Sequence, residues 1–204
     1  KRQRHAVAGD RIVRTGAWDS WSPAFMVGKQ VTGARVGIIG MGRVGRAFAA
    51  KARGFDIEVH YFNRSALPDD QAQGAVYHNT VESLLGVADF LSLHCQATPD
   101  TIDLMNAKRF ALLPQGAVIV NTERGALVDE NALLAALDTG QVAAAGLDCF
   151  KVEPGGNPAF ATYDNVFMLP HIGSATRQTR DAMGFRALDN LDAFFAGKTP
   201  QDTL

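Results

Sequence analysis

The sequence predicts an α/β fold, a doubly wound parallel sheet with helices on both faces. Three observations predict it. Short apolar runs alternate with stretches of helical periodicity, the pattern of parallel strands joined by crossover helices. Several of the runs are continuously apolar, as expected of strands covered on both faces. One run leads straight into a glycine-rich turn that opens a helix, "GIIGMGRVGRAFA" at 37–49.

Taken in order, strands are predicted near Arg35–Ile39, Ile57–Phe62, Ala75–His78, Asp89–His94, Val118–Asn121, Ala143–Leu147 and Val166–Leu169. Between them the periodicity predicts helices near Arg43–Arg53, Val81–Val87, Ala107–Leu112, Glu130–Thr139 and Ala175–Phe195. The fourth is the best marked, with Asp129 where an N-cap belongs and Gly140 just past the end. No internal repeat or low-complexity segment interrupts the pattern. In a sheet of this kind the ligand lies beyond the carboxyl ends of the strands.

Composition narrows the partners. A chain of 204 residues with 47% hydrophobic content can bury a full core. Lys and Arg number 20 against 21 Asp and Glu, a net charge of −1 that provides no field for nucleic acid or an anionic membrane. The short basic run Lys1, Arg2, Arg4, His5 is read as a solvated helix end. No apolar stretch approaches the roughly 20 residues of a membrane span, and no secretory signal is present. Cys95 and Cys149 lack metal-ligand and CxxC spacing, so no metal site is predicted and a reducing cytoplasm is the expected compartment. The chain opens on Lys1 instead of Met, from which we expect an N-terminal portion to be missing.

A bare GxGxxG is weak evidence, but here it follows a strand and opens a helix, the context its mechanism needs. Gly40 permits the tight turn, Gly42 lets backbone approach a pyrophosphate, and Gly45 lets helix pack on strand, a Rossmann-like arrangement. Met41, Arg43 and Val44 complete the turn, where free N–H groups and the positive end of the helix dipole meet phosphate. The competing reading is an ordinary glycine-rich turn. Eighteen residues after Gly45, where an acidic residue would hold the ribose hydroxyls of NAD, the chain reads Asn63-Arg64-Ser65. No carboxylate stands there to repel a 2′-phosphate, Arg64 can pair with one, and Asn63 and Ser65 can donate hydrogen bonds. NADP(H) is therefore preferred and NAD(H) possible, the alternative being that Arg64 points to solvent.

Two histidines follow apolar strands, His94 in "ADFLSLHC" and His171 in "VFMLPHIGSAT". Histidine suits proton transfer near neutral pH, and a strand's carboxyl end is the functional edge of such a sheet. His171 has the better surroundings, after Pro170 and before the turn into the last helix. His94 is read as structural, satisfying backbone groups, and His5, His60 and His78 as surface or packing residues without a constellation. Arg124 in "VIVNTERGALVDE" could grip a carboxylate with two parallel hydrogen bonds. Glu153 in "GLDCFKVEPGG" lies in a loop beyond another strand, before a proline. Each taken singly reads as a surface charge. Together, Arg124, Glu153 and His171 converge past the strand ends as an anchor, an orienter and an acid/base for reducing a carboxylate-bearing substrate.

"GIIGMGRVGRAFA", "NTERGALVDENAL", "GLDCFKVEP" and "LPHIGSAT" together resemble the D-isomer-specific 2-hydroxyacid dehydrogenases, most closely their glyoxylate/hydroxypyruvate reductase branch. The resemblance runs from "GDRIVRTGAWDSW" to the last helix. It implies a nucleotide-binding domain inserted into a substrate-binding domain formed by both chain ends, with most of the latter absent from these residues. The implied division is an interdomain connector at 1–14, the NAD(P)-binding domain at 15–180, and a helix returning to the substrate domain at 181–204. The resemblance assigns Arg124 to the carboxylate and carbonyl of a 2-oxo acid, and His171 to proton donation as hydride arrives. It further assigns Glu153 to hydrogen-bonding His171 and stabilising its imidazolium, and Asp148 to the nicotinamide carboxamide. Cys95, Thr122 and Gly173 complete the expected cofactor contacts. Asn63 departs from the Asp usual in NAD-preferring relatives, and Glu123 and Lys151 depart from the charge pattern expected beside the site. The implied substrate is a small 2-oxo or 2-hydroxy acid, and the implied assembly a homodimer. A dinucleotide-sensing corepressor-like protein, an inactive cofactor-binding fragment and an NAD-preferring phosphoglycerate dehydrogenase are the competing readings.

Overall fold

The computed structural model describes residues 6–203. The chain divides into two compact units, Lys1–Pro170 and His171–Leu204. The first holds seven strands: β1 Arg35–Ile39, β2 Glu58–Phe62, β3 Val76–His78, β4 Phe90–Leu93, β5 Ala117–Asn121, β6 Val142–Leu147 and β7 Val166–Met168. All pairings are parallel, in the order β3-β2-β1-β4-β5-β6-β7. The order reverses at β1 and β4, so crossovers leave them in opposite directions and open a crevice at their carboxyl ends. The helices of this unit are α1 Ala6–Arg14, α2 Arg43–Arg53, α3 Asp69–Ala72, α4 Val81–Leu85, α5 Ala107–Phe110 and α6 Glu130–Asp138. The second unit is built on α7 Arg177–Phe195.

The continuous apolar runs are explained by two cores, one on each face of the sheet. Adjacent strand residues point to opposite faces. Ile38 accordingly joins Val36, Val59 and Tyr61 in one cluster, while Ile39 joins Leu91, Leu93, Ile119 and Leu133 in the other. At the amino edge of the sheet, Asp89 accepts from the Arg35 N–H (3.0 Å) and Arg35 Nε (3.3 Å) and pairs with Lys29 Nζ (3.4 Å), tying the start of β1 to the start of β4. The Asp129 carboxylate accepts from the N–H groups of Asn131 and Ala132, each at 3.1 Å, a cap worth about 1 kcal/mol. Gly140 follows with φ +71°, a left-handed conformation that favours glycine.

Helix α2 has the predicted bounds, and the seven strands stand where the apolar runs lie. The structure adds α1, α3 and two 3-10 turns, Gly125–Leu127 and Pro158–Thr162. Three of these span five residues or fewer, too few for a 3.6-residue period to show. Helix α7 starts at Arg177, two residues later than expected, because the Thr176 hydroxyl accepts from the Thr179 N–H at 3.2 Å as its cap. The basic run Lys1, Arg2, Arg4, His5 lies outside the described residues. Among those residues no helix is long and apolar enough to cross a membrane.

His60 and His78 require a correction, since they do form a constellation. His60 is buried, with its Nδ1 2.9 Å from His78 Nε2, and Ser83 Oγ lies 3.2 Å from His78 Nδ1. Pairing of β2 with β3 brings them together. Burial, and then the neighbouring His60, hold the His78 pKa below its ordinary value. Glu58 Oε1 lies 3.2 Å from His60 Nε2 but outside hydrogen-bonding geometry.

Candidate functional site

The glycine turn sits at the switch between β1 and β4. Gly40 adopts φ +97°, and a Cβ there would come within 2.5 Å of the Cys95 backbone nitrogen. A Cβ on Gly45 would lie 2.4 Å from the Gly40 carbonyl oxygen. Both glycines are thus demanded by the protein's own packing. Gly42 differs, for a Cβ there would meet nothing within 4 Å. Gly42 is also the N-cap of α2 and provides no side-chain cap, so the N–H groups of Arg43 and Val44 open toward the same space. A helix N-terminus with its dipole, unobstructed by a side chain, fits the pyrophosphate of a dinucleotide.

Beyond β2, the Asn63 amide oxygen accepts from the Met41 N–H at 2.7 Å, inside that same turn. The Tyr77 hydroxyl donates to the Asn63 carbonyl at 3.4 Å, and the Leu67 N–H donates to the Tyr61 hydroxyl at 2.9 Å. The loop is therefore pinned at both ends while Arg64 and Ser65 stay exposed. Among the described residues no ion pair engages Arg64.

The loops after β5 and β6 form the other half of the site. Asn121, 1% exposed, spends both ends of its amide on one turn: Nδ2 donates to the Arg124 carbonyl at 2.8 Å, and Oδ1 accepts from the Glu123 N–H at 3.1 Å. Its own carbonyl accepts from the Asp148 N–H at 3.0 Å, joining the turn to β6. Gly125 makes a tighter join, since a Cβ there would lie 1.9 Å from the Phe150 carbonyl carbon. In the second loop the Glu153 carboxylate accepts from the Phe150 N–H at 2.7 Å. Glu130, at the start of α6, holds the loop from below, accepting from the Lys151 N–H and from Asn157 Nδ2, each at 3.0 Å.

Between these loops lies a cleft of about 510 Å³, walled by Arg124, Glu153, Glu123, Lys151, Gln96 and Phe150 among others. Arg124 Nη1 donates to the Glu123 carbonyl at 2.5 Å, and its side chain is 60% exposed toward solvent. Lys151 Nζ pairs with Asp103 at 2.5 Å, which neutralises much of its charge within the cleft. The structure thus brings Arg124 and Glu153 to one cleft. Asp148 is buried beneath the second loop, and Thr122 is exposed in the first. His171 and Gly173 belong to the second unit, where His171 takes φ +52°, uncommon for a residue with a side chain and frequent at functional sites.

Burial disfavours the thiolate form of both cysteines. Burial pushes Cys95 up to about 11, while burial and then the Glu153 and Asp148 carboxylates push Cys149 up to about 12. His94 has its Nε2 2.9 Å from the Ser92 hydroxyl, not on a backbone group, and its buried Nδ1 has no hydrogen-bond partner among the described residues. Burial holds its pKa below the ordinary value. Sequence reasoning missed Asn121, Gly125 and Glu130 as supports of this site. The first two carry a signal in "NTERG", an amide at the buried end of a strand with a glycine after the arginine. Glu130 carries none, because its partners stand 21 and 27 residues away.

Residues 1–173 match the NAD binding domain of the D-isomer specific 2-hydroxyacid dehydrogenases. The chain belongs to the D-isomer specific 2-hydroxyacid dehydrogenase family. It is similar to a glycerate dehydrogenase of Hyphomicrobium methylovorum, 41% identical over 95% of this chain and 61% of the relative. A glyoxylate reductase of Thermococcus litoralis is 38% identical over 97% of this chain and 61% of its own length. Among solved structures, the NADPH-dependent glyoxylate/hydroxypyruvate reductase of Sinorhizobium meliloti superimposes with a TM-score of 0.85 at 33% identity, over 95% of this chain and 60% of that one. The chain thus spans about three-fifths of the length of these 2-hydroxyacid dehydrogenases.

Proposed function

We propose that the protein is an oxidoreductase that reduces a small 2-oxo acid of the glyoxylate or hydroxypyruvate type to the D-2-hydroxy acid, with NADPH preferred over NADH. The observation that carries this reading is the cleft between the β5 and β6 loops, which presents an exposed guanidinium and a carboxylate, in a domain that also holds a turn suited to pyrophosphate. When bound, the dinucleotide supplies the hydride. Arg124 binds the substrate carboxylate and polarises the carbonyl, which stabilises the developing alkoxide. His171 delivers the proton to the carbonyl oxygen, and Glu153 orients the imidazole. Asp148 holds the carboxamide end of the nicotinamide, with Cys95, Thr122 and Gly173 lining the crevice. Arg64 and Ser65 take the 2′-phosphate.

In the same reading, residues 1–14 connect to a substrate-binding domain, 15–180 bind NAD(P), and 181–204 return to that domain. The whole protein works as a homodimer in a reducing cytoplasm, where Cys95 and Cys149 stay as the free thiols seen here.

A steady-state panel on the full-length protein tests the proposal, with NADPH and NADH against glyoxylate, hydroxypyruvate, pyruvate and phosphohydroxypyruvate. The expected result is turnover of glyoxylate or hydroxypyruvate with NADPH favoured. Activity with NADH alone would sink the Arg64 argument, and no reductase activity at all would favour a dinucleotide-sensing protein. On the same assay, Arg124→Ala should chiefly raise KM and also lower kcat, because its contact strengthens as charge develops on the oxygen. An unchanged KM for the carboxylate substrate would remove Arg124 from the site.

A further inference from the structure

Parallel pairing of β1 with β2 ends at Ile39 opposite Phe62. Gly40 then swings to φ +97°, and its N–H makes one last backbone bond, to the Phe62 carbonyl at 3.0 Å. The next donor along, the Met41 N–H, is taken at 2.7 Å by a side chain, Asn63 Oδ1. Asn63 therefore extends the ladder by one rung past the point where the backbone can. Met41 itself is 1% exposed and packs among Val36, Ile38 and Tyr61, so its N–H needs a partner from the protein. A backbone N–H can only donate, which settles which end of the amide faces the turn. The NH₂ end, a donor only, is the end of the amide that the turn does not engage.

We infer that Asn63 is a positioning residue: its amide oxygen fixes the phosphate-binding turn through Met41, and that bond compels it to offer only donors to the adenosine ribose. The inference rests on the dinucleotide reading of the turn and adds a cause for the NADP preference. A phosphate accepts from such donors and from Arg64. An Asp in this place can hold the Met41 N–H with one oxygen while its other oxygen presents an acceptor and a negative charge, which suits a ribose hydroxyl and opposes a phosphate. Two functions sit on one side chain, and a pair of substitutions separates them.

The experiment measures two things in the full-length protein: hydrogen exchange of the Met41 amide without cofactor, and the Kd of NADPH and NADH by fluorescence titration. Asn63→Leu should lower Met41 protection by about tenfold or more, as loss of a hydrogen bond of roughly 1.4 kcal/mol would, and weaken both dinucleotides. Asn63→Asp should restore Met41 protection and shift the NADPH to NADH Kd ratio toward NADH by about tenfold or more. Unchanged Met41 exchange in Asn63→Leu would overturn the fastening. A Kd ratio unmoved by Asn63→Asp would overturn the imposed donor orientation. Because the exchange is read without ligand or substrate, a wild-type protein that bound neither dinucleotide would defeat the functional reading while leaving the Met41 bond intact.

Discussion

In the full-length protein, His171→Ala is expected to lower kcat by roughly 10²–10⁴-fold, the range of a positioned general acid, while the Kd of the dinucleotide stays within about twofold. The separation follows from where the two tasks lie along the chain. Dinucleotide recognition is proposed for the Gly40–Gly45 turn and for Asn63, Arg64 and Ser65, on elements that precede β3. His171 follows β7 in the chain, more than a hundred residues after the turn and outside the unit that holds it. Removing the imidazole takes away the proposed proton donor and leaves the residues of the turn unchanged. Stopped-flow binding beside steady-state turnover reads both quantities on one preparation. Normal turnover in the variant would show that His171 donates no proton, and a Kd raised in step with lost activity would show it to be a cofactor contact instead.

The second large effect is one of stability. Gly125→Ala places a Cβ 1.9 Å from the Phe150 carbonyl carbon, 2.2 Å from its oxygen and 2.3 Å from the Lys151 nitrogen. All three are backbone atoms, which cannot swing aside as a side-chain tip can. Either the β5 loop or the β6 loop has to shift. Overpacking of this kind costs about 3 kcal/mol, toward the upper end of what a well-packed site imposes, and in a chain of this size that lowers Tm by roughly 6–12 °C. Gly184→Ala is the control, because its Cβ meets nothing within 4 Å and it lies inside α7, where alanine is the better helix former. Thermal unfolding of the two variants checks the expectation. A Gly125→Ala protein that melted with the wild type would mean that the loops are not in contact.

The parts of the fold that were legible share one property, that their signal is local. Continuous apolar runs mark strands covered on both faces, and Asp129 with Gly140 brackets α6 because caps act within a turn of the helix. Gly40, Gly42 and Gly45 announce their turn because all three lie within six residues. What was not legible depends on distance in sequence. The carboxylate of Glu130 looks like the opening of a helix until its partners in the β6 loop are seen. His60 and His78 look unrelated until two edge strands pair. Asn63 was read for its donors alone, and its acceptor end found Met41, 22 residues earlier. The proposed site residues are singled out by their position after apolar runs, whereas the groups that hold the two loops in place carry no such mark.

The Asp89 clamp has a practical meaning for anyone who would redesign this scaffold. It fastens β1 to β4 at the end of the sheet remote from the glycine turn, so rigidity and the proposed dinucleotide recognition fall on opposite rims of the same two strands. A designer could strengthen the Lys29–Asp89–Arg35 rim, or rebuild the glycine turn proposed to hold the dinucleotide, as two separate projects. Changes at the two rims lie far enough apart to add in free energy, and that independence makes the domain a convenient chassis for redesign.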